Sequence, residues 1–210
     1  DAVLSRPLER TDLQADAVFL TIQVGGLSGG HSGADIALHR ANANKLLART
    51  VDHLFRVRDG AFQERILGLA AIRGGTVRNA IPREAAATLA VHPAIAAEIT
   101  SEVGEFEAVL RAEYAGTEPN IQVRAEAGGA RPTAAYGPSD LAAAVGILMV
   151  VPNGVQEMSA EIDGLVETSC NLAVIGVKAD TLEINMSQRS SVMSRLDEVT
   201  RRIDRGASLA

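Results

Sequence analysis

The chain has one cysteine, no tryptophan and few aromatic residues, and these shortages exclude several classes of protein. A lone Cys170 cannot build an internal disulfide framework, and it fits a reducing cytosol. Aromatic residues make up only 3%, which leaves few rings on which the bases of a single-stranded nucleic acid could stack. The net charge of -6 also argues against a nucleic-acid partner.

Long hydrophobic runs are missing as well. The longest one, residues 141–151, is far shorter than the ~20 residues that a membrane helix needs. No charged start precedes an apolar signal core, so we expect no export signal. The first residue is Asp1 rather than Met, which suggests a domain excised from a longer protein. Of the 210 residues 47% are hydrophobic, enough for the core of one large domain or of two lobes.

The apolar pattern of the first half predicts the order β-α-β-β-α-β. The predicted strands are residues 17–24, 65–72, 85–91 and 120–126, and the predicted helices run from about 41 to 55 and from 93 to 115. The strand at 85–91 is expected to lie antiparallel to the one before it. This order is typical of the ferredoxin-like split motif.

The second half is interpreted as a diverged α/β partner of the first. A helix is predicted from Ser139 to Val151, with Ser139 as its N-cap ahead of Asp140. The remaining predicted elements are strands at 155–162, 166–177 and 182–187 and a helix at 192–205. The fold class is therefore α+β, with two ferredoxin-like lobes, antiparallel sheets and helices packed on one face. The glycine-rich segment 128–132 is the expected junction between lobes 17–128 and 129–210.

A histidine among small residues is the most informative local feature. In Gly29-Gly30-His31-Ser32-Gly33 it follows a predicted strand and precedes a predicted helix, so a bulky ligand could reach it. The alternative is a glycine-rich turn that merely contains a histidine. Neither a phosphate-loop motif nor a dinucleotide-binding motif fits the spacing of these glycines.

No complete catalytic or metal-binding set can be assembled from the remaining residues. His39 and His53 are expected on one helix as solvated or core-edge residues, and His92 as a strand-end residue. Cys170 falls in a strand pattern and is expected to be an inert buried thiol. Zinc hydrolases need three or four ligands, and no comparable spacing of His, Cys, Asp or Glu occurs.

Two further polar residues could bind a ligand. Asn79 lies between a diglycine turn and a strand, where it either caps the turn or donates to a substrate. Arg189 lies at a strand end, where it is either solvated or offers its fork of donors to a carboxylate. An imidazole, an amide and a guanidinium together suit a site for an anionic tetrahedral intermediate and a free carboxyl terminus.

Several blocks of the chain resemble the aminoacyl-histidine dipeptidases, which are di-zinc metallopeptidases. The blocks are residues 26–33, 42–47, 74–85, 152–155, 166–172 and 184–191. They follow the order of the family through nearly the entire chain, although the loops 58–64 and 128–136 differ in length from the family pattern. The resemblance covers only the lid domain, also called the dimerisation domain, which is inserted into the catalytic domain.

The resemblance implies a role for each of the three candidate residues. His31 would reach the oxyanion or the scissile carbonyl when the lid closes, Asn79 would donate to the substrate, and Arg189 would clamp the terminal carboxylate of the dipeptide. The zinc ligands and the general-base glutamate would lie in the catalytic domain. The two zinc ions would therefore belong to the full enzyme, and this fragment would bind no cofactor. Residues 1–16 would be a remnant of the link from the catalytic domain.

The expected function is that of a lid in a cytoplasmic enzyme that cleaves Xaa-His dipeptides. Its partners would be its own catalytic domain, the dipeptide substrate and a second copy of the chain in a homodimer, with no nucleic acid and no membrane. The alternative is a stand-alone, non-catalytic α/β module that dimerises or binds a small anion. A small amidohydrolase that uses His31 and Arg189 is disfavoured, because the chain has no assignable nucleophile or metal set.

The purified chain should fold alone but hydrolyse no dipeptide, even with added zinc, because it has no assignable ligand set. The measurements are a dipeptide hydrolysis assay and a zinc titration. Turnover, or a tight stoichiometric zinc site, would contradict the interpretation of the chain as a lid.

Overall fold

The computed structural model describes residues 1–128 and 132–209. The strands are β1 (Ala2–Pro7), β2 (Arg10–Asp12), β3 (Val18–Gly25), β4 (Gly30–His31), β5 (Ile66–Gly74), β6 (Ala80–Ile81), β7 (Ala85–Val91), β8 (Gln122–Ala127), β9 (Ala134–Tyr136), β10 (Gly154–Met158), β11 (Val166–Lys178) and β12 (Thr181–Ser190). The α-helices are α1 (Ala43–Arg56), α2 (Ala96–Glu113), α3 (Pro138–Val150) and α4 (Met193–Leu209).

The first half has the predicted split arrangement. Its elements follow the order β3-α1-β5-β7-α2-β8, and its strands lie side by side as β5-β7-β3-β8, all antiparallel. Side chains alternate across β3, so that Leu20, Ile22 and Val24 enter the core while Gln23 is exposed on the other face. This alternation explains why the pattern of the sequence located the strand correctly.

The second half extends the same sheet. Strands β10, β11 and β12 form an antiparallel meander, and β11 also pairs with β5 where Ile175 lies opposite Gly74. The α+β class with antiparallel strands and packed helices is confirmed. In detail the second half departs from the split pattern, because its strands follow one another as a meander and its outer strand, β1, comes from the start of the chain.

Residues 1–16, expected to be a linker remnant, contribute two strands. Strand β1 pairs with β12 along its whole length, from Ala2 opposite Met186 to Pro7 opposite Thr181. Strand β2 pairs with β9. The expected junction at 128–132 falls mostly on residues 129–131, which lie outside the described residues.

Two local predictions were wrong and a third extended too far. Helix α3 begins at Pro138 with Gly137 as its N-cap, not Ser139, because proline lacks the N–H that would need a partner at the first helical position. His39 does not share a helix with His53: it follows a short 3₁₀ turn in a left-handed conformation (φ 52°). The strand predicted at 155–162 ends at Met158.

The four helices cover one face of the sheet. Helix α1 packs between α2 and α3, and α4 packs beside α3. One hydrophobic cluster beneath them includes residues from both halves, such as Leu46, Leu89 and Leu172. Cys170 is fully buried there, and burial raises the pKa of its thiol to about 12, as expected for an inert cysteine. Among the described residues, no helix combines the length and apolarity required to cross a membrane.

A lysine links α1 to the end of α3. The Nζ of Lys45 donates to the main-chain carbonyls of Leu148, Met149 and Val151 at 2.5 to 3.0 Å. Carbonyls at the end of a helix lack partners within the helix, and a cation there also meets the negative end of the helix dipole. Burial opposes the charge and lowers the pKa of Lys45 to about 8.

Replacing Lys45 by methionine should lower the free energy of unfolding by about 1–3 kcal/mol at pH 7, because buried carbonyls lose their donor. Chemical denaturation measures this change. The matched control is Lys178→Met at an exposed lysine, which should stay within ~0.5 kcal/mol of the wild type. Equal stabilities of the two variants would contradict a capping role.

The pH dependence provides a second check on Lys45. Its pKa is about 8 in the folded chain against an ordinary value of 10.5, so between these values the unfolded chain binds more protons. The contribution of this group to the free energy of unfolding therefore rises with pH across that window. The difference between the wild type and Lys45→Met should contain this rise, whereas the difference between the wild type and Lys178→Met should not.

Candidate functional site

His31 and Asn79 lie together in a small two-stranded sheet that is separate from the main sheet. Strands β4 and β6 pair antiparallel, with His31 opposite Ala80. The N–H of Ser32 donates to the carbonyl of Asn79 at 2.9 Å. Two candidate residues far apart in sequence are therefore held at neighbouring positions.

The loop that carries His31 is fastened at both ends by one carboxylate. Glu118 is buried, and its oxygens accept from the N–H of Ser28 at 2.7 Å and of Ala41 at 3.1 Å. The N–H of His31 itself donates to the carboxylate of Asp35 at 2.8 Å. These bonds fix the backbone on which the imidazole is mounted.

The imidazole of His31 is exposed, and its tautomer follows from its neighbours. Its Nδ1 accepts from the N–H groups of Gly33 and Ala34, each at 3.1 Å. A ring nitrogen that accepts carries no proton, so the neutral ring bears its hydrogen on Nε2. Within the described residues Nε2 has no hydrogen-bond partner, so this N–H is available to a ligand.

Arg189 and His31 both lie beside Gly33. A Cβ added at Gly33 would come within 3.2 Å of the guanidinium carbon of Arg189 and 3.2 Å of Cε1 of His31. The guanidinium carbon of Arg189 and Cε1 of His31 therefore lie no further apart than twice 3.2 Å. Arg189 is exposed, and its guanidinium forms no ion pair with any described residue. The structure thus brings all three candidates around the segment Ser32–Gly33.

The side chain of Asn79 is exposed and forms no hydrogen bond within the described part of the chain. It therefore does not cap its own turn, which was the alternative to a role in binding. The turn is held from behind instead: Nδ2 of the buried Asn171 donates to the carbonyls of Ala80 at 2.8 Å and Arg78 at 3.4 Å.

Asn171 belongs to a cluster of asparagines, in which Asn42 and Asn44 are also buried and Asn153 is half-buried. Nδ2 of Asn42 donates to Oδ1 of Asn153 at 2.9 Å and to Oδ1 of Asn171 at 3.4 Å. Oδ1 of Asn42 caps α1 through the N–H groups of Asn44 and Lys45. These asparagines lie in blocks that carry the family resemblance, but only the position of Asn42 ahead of a helix gives a local signal of its role.

The other histidines have structural roles. His53 stacks on Phe106 with ring centroids 4.3 Å apart, and its Nε2 lies 2.8 Å from Glu102, so it is the expected core-edge residue. His92 follows β7 as expected, and its Nδ1 accepts from the N–H of Ala94. No group of three or more His, Cys, Asp or Glu side chains within residues 1–128 and 132–209 could hold a metal ion.

Comparison with known proteins shows which domain and which enzymes this chain resembles. Residues 22–118 match the family described as the peptidase dimerisation domain. The cytosol non-specific dipeptidase of Escherichia coli (strain K12) is 34% identical over 203 residues, which are 97% of this chain and 40% of that protein. The crystal structure of aminoacylhistidine dipeptidase from Vibrio alginolyticus matches with a TM-score of 0.89 and 29% identity, over 99% of this chain and 41% of that one.

Over residues 22–118 the chain is therefore similar to a peptidase dimerisation domain. Its similarity to one part of two dipeptidases confirms the resemblance noted in the sequence. It spans about two fifths of the length of each of these two relatives.

The tautomer of His31 can be tested on the chain itself. Long-range ¹H–¹⁵N correlation spectra at a pH where the ring is neutral should show the hydrogen on Nε2, because Nδ1 accepts two backbone N–H groups. His39, whose ring has no hydrogen bond among the described residues, serves as the internal reference. A His31 ring with its hydrogen on Nδ1 would contradict the assignment.

Proposed function

We propose that this chain is the lid domain of a cytoplasmic dipeptidase. The observation that carries the proposal is the placement of His31 and Arg189 next to each other beside Gly33, with Asn79 in the adjoining strand connection. The lid would close over a catalytic domain outside this chain. It would then supply three hydrogen-bond donors to one substrate.

The short separation between the imidazole of His31 and the guanidinium of Arg189 favours a dipeptide over a longer peptide as the substrate. In a dipeptide the free carboxylate belongs to the residue directly after the scissile bond, so it lies within one residue length of the scissile carbonyl. Each further residue moves the carboxylate by up to about 3.3–3.6 Å. An imidazole and a guanidinium that can both lie within 3.2 Å of one added methyl group suit the shorter substrate.

Each donor would make a different contribution to the reaction. Arg189 offers a planar fork that matches a carboxylate with two parallel hydrogen bonds, and this carboxylate is present throughout the reaction. The Nε2–H of His31 would donate to the scissile carbonyl oxygen as it gains negative charge, which lowers the barrier rather than improving ground-state binding. Asn79 would add a neutral, weaker donor from the same small sheet.

The metal would come from elsewhere in the enzyme. The described residues do not fit a metal ion, so the two zinc ions implied by the resemblance would be bound by the catalytic domain, where they would act as Lewis acids on the carbonyl. The name of the E. coli relative supports a cytosolic location, and the matched family supports a homodimer. A preference for Xaa-His dipeptides follows the resemblance, and a panel of dipeptides assayed with the full enzyme tests it.

Arg189→Lys in the enzyme that carries this domain should raise KM for free dipeptides and leave kcat nearly unchanged. A point charge cannot replace a bidentate fork, and binding that is equal in ground and transition states appears in KM. The measurement is kcat/KM for a dipeptide and for its C-terminal amide. The preference for the free acid should shrink in the variant.

Arg195→Lys is the matched control, since Arg195 is exposed and, among the described residues, forms ion pairs with the exposed Glu157 and Glu198. It should keep the wild-type ratio of acid to amide. An unchanged ratio in Arg189→Lys as well would remove Arg189 from the site.

His31→Ala should lower kcat by about 10²–10³ with little change in metal content, the size of effect seen when one oxyanion donor is lost. Steady-state kinetics and metal analysis of the same preparation measure the two quantities. His53→Ala is the control for loss of an imidazole, because His53 lies in the last turn of α1 and bonds to Glu102 of α2. A wild-type kcat in His31→Ala would mean that His31 is only a turn residue and contributes nothing to catalysis.

A further inference from the structure

Asn171 is the buried side chain that links the small sheet to the main sheet. Strands β4 and β6 form no backbone ladder with the main sheet. Within the described residues, the side-chain hydrogen bonds from β11 to the turn before β6 both come from Nδ2 of Asn171, to the carbonyls of Ala80 and Arg78. The amide is 1% exposed, so solvent does not compete for these bonds.

Asn171 is also tied to the strand that carries Arg189. It pairs with Ser187 on β12, two residues before Arg189, and Ser169 pairs with Arg189 itself. Because side chains alternate along a strand, Asn171, Ser187 and Arg189 share one face. The same amide thus contacts the turn of Asn79 and lies on the strand pair of Arg189.

The orientation of the Asn171 amide is fixed as well. Its Oδ1 accepts from Nδ2 of Asn42, and that group also donates to the carbonyl of Leu172 at 2.9 Å. The carboxamide therefore cannot turn over without bringing its Nδ2 against the donor group of Asn42 and its oxygen against two carbonyls. The bond of 2.8 Å from its Nδ2 to the carbonyl of Ala80 is the stronger restraint, because the two hydrogens of Asn42 Nδ2 also form bonds of 2.9 Å to Asn153 and Leu172.

We propose that Asn171 is a positioning residue that holds the turn of Asn79, and with it the strand of His31, at a fixed separation from Arg189. The proposal rests on the proposed function, since it concerns the geometry of the same three donors. It assigns no contact between Asn171 and the substrate. Loss of the amide would let the small sheet move relative to β12, and misplacement of donors by about 1 Å can reduce catalysis 10²-fold.

Asn44 provides a matched control. It is equally buried, and its Nδ2 donates to two main-chain carbonyls on the same strand, Leu172 and Ala173, at 3.2 and 3.3 Å. None of its hydrogen bonds reaches residues 78–80. Asn171→Ala and Asn44→Ala should therefore lower the melting temperature to a similar degree, while only Asn171→Ala affects the site.

The experiment uses the full enzyme that contains this domain. It compares three single variants, Asn171→Ala, Asn44→Ala and Asn79→Ala, with the double variant that combines Asn171→Ala and Asn79→Ala. Asn171→Ala should lower kcat about 10- to 100-fold and Asn44→Ala less than about 3-fold. In the Asn79→Ala background, Asn171→Ala should have a smaller effect on kcat than alone, because both changes disturb one unit. If Asn171→Ala folds poorly, Asn171→Asp takes its place in the experiment. The aspartate keeps the size of the side chain but its carboxylate cannot donate, so it should also lower kcat.

Hydrogen exchange provides a readout independent of catalysis. Peptides that span residues 28–35 and 76–84 should exchange faster in Asn171→Ala than in Asn44→Ala, because the bond from the Ser32 N–H to the Asn79 carbonyl loses its support. Equal exchange and equal kcat in the two variants, or effects of Asn171→Ala and Asn79→Ala that multiply, would overturn the proposal. Wild-type kcat in Asn79→Ala would instead refute the proposed function of Asn79.

Discussion

The buried amide of Asn42 is the contact on which the arrangement of the site depends. Its oxygen caps α1, and its Nδ2 reaches Asn153, Asn171 and the backbone of β11. One side chain therefore joins the first helix of the first half to the α3–β10 connection and to the central strand of the second half. An apolar residue at this position would leave the helix end and the partner amides without hydrogen bonds, which is costly in the interior.

The continuous sheet connects the hydrogen bonds of Asn42 to the rest of the site. The two halves meet where β11 pairs with β5, and a single core passes beneath α1 and α3. A close-packed interior of this kind transmits displacement instead of absorbing it. The groups on β12 and those on the small sheet are thus held in one frame, although they come from opposite ends of the chain.

Regular elements of the chain could be predicted because their signals are local. The alternation in β3 and the helical spacing in α1 follow from which face is buried. The two-residue strands β4 and β6 are too short to show any period, and the pairing of β1 with β12 depends on an open sheet edge that only the folded chain provides.

The candidate site could also be predicted from the sequence only in part. His31 could be selected from its small neighbours, and Asn79 and Arg189 from the resemblance, but their proximity around Gly33 arises from long-range packing. The roles of Glu118 and Asn171 could not be foreseen, since a buried polar residue shows no periodic signal of the groups it will bond. Glu118 occupies a loop position where a carboxylate would ordinarily be solvated.

The chemistry of the described residues is consistent with the proposed role as a lid. It offers a neutral imidazole donor, an amide and an unpaired guanidinium, none of which can by itself break a peptide bond. On the proposed function these donors would meet the substrate only when the domain closes on a catalytic partner, where exclusion of water strengthens each hydrogen bond. Their value then depends on arriving together in a fixed geometry. The hydrogen bonds of Asn42 and Asn171 behind the site meet that requirement better than flexible surface contacts would, because they are already formed before the substrate binds.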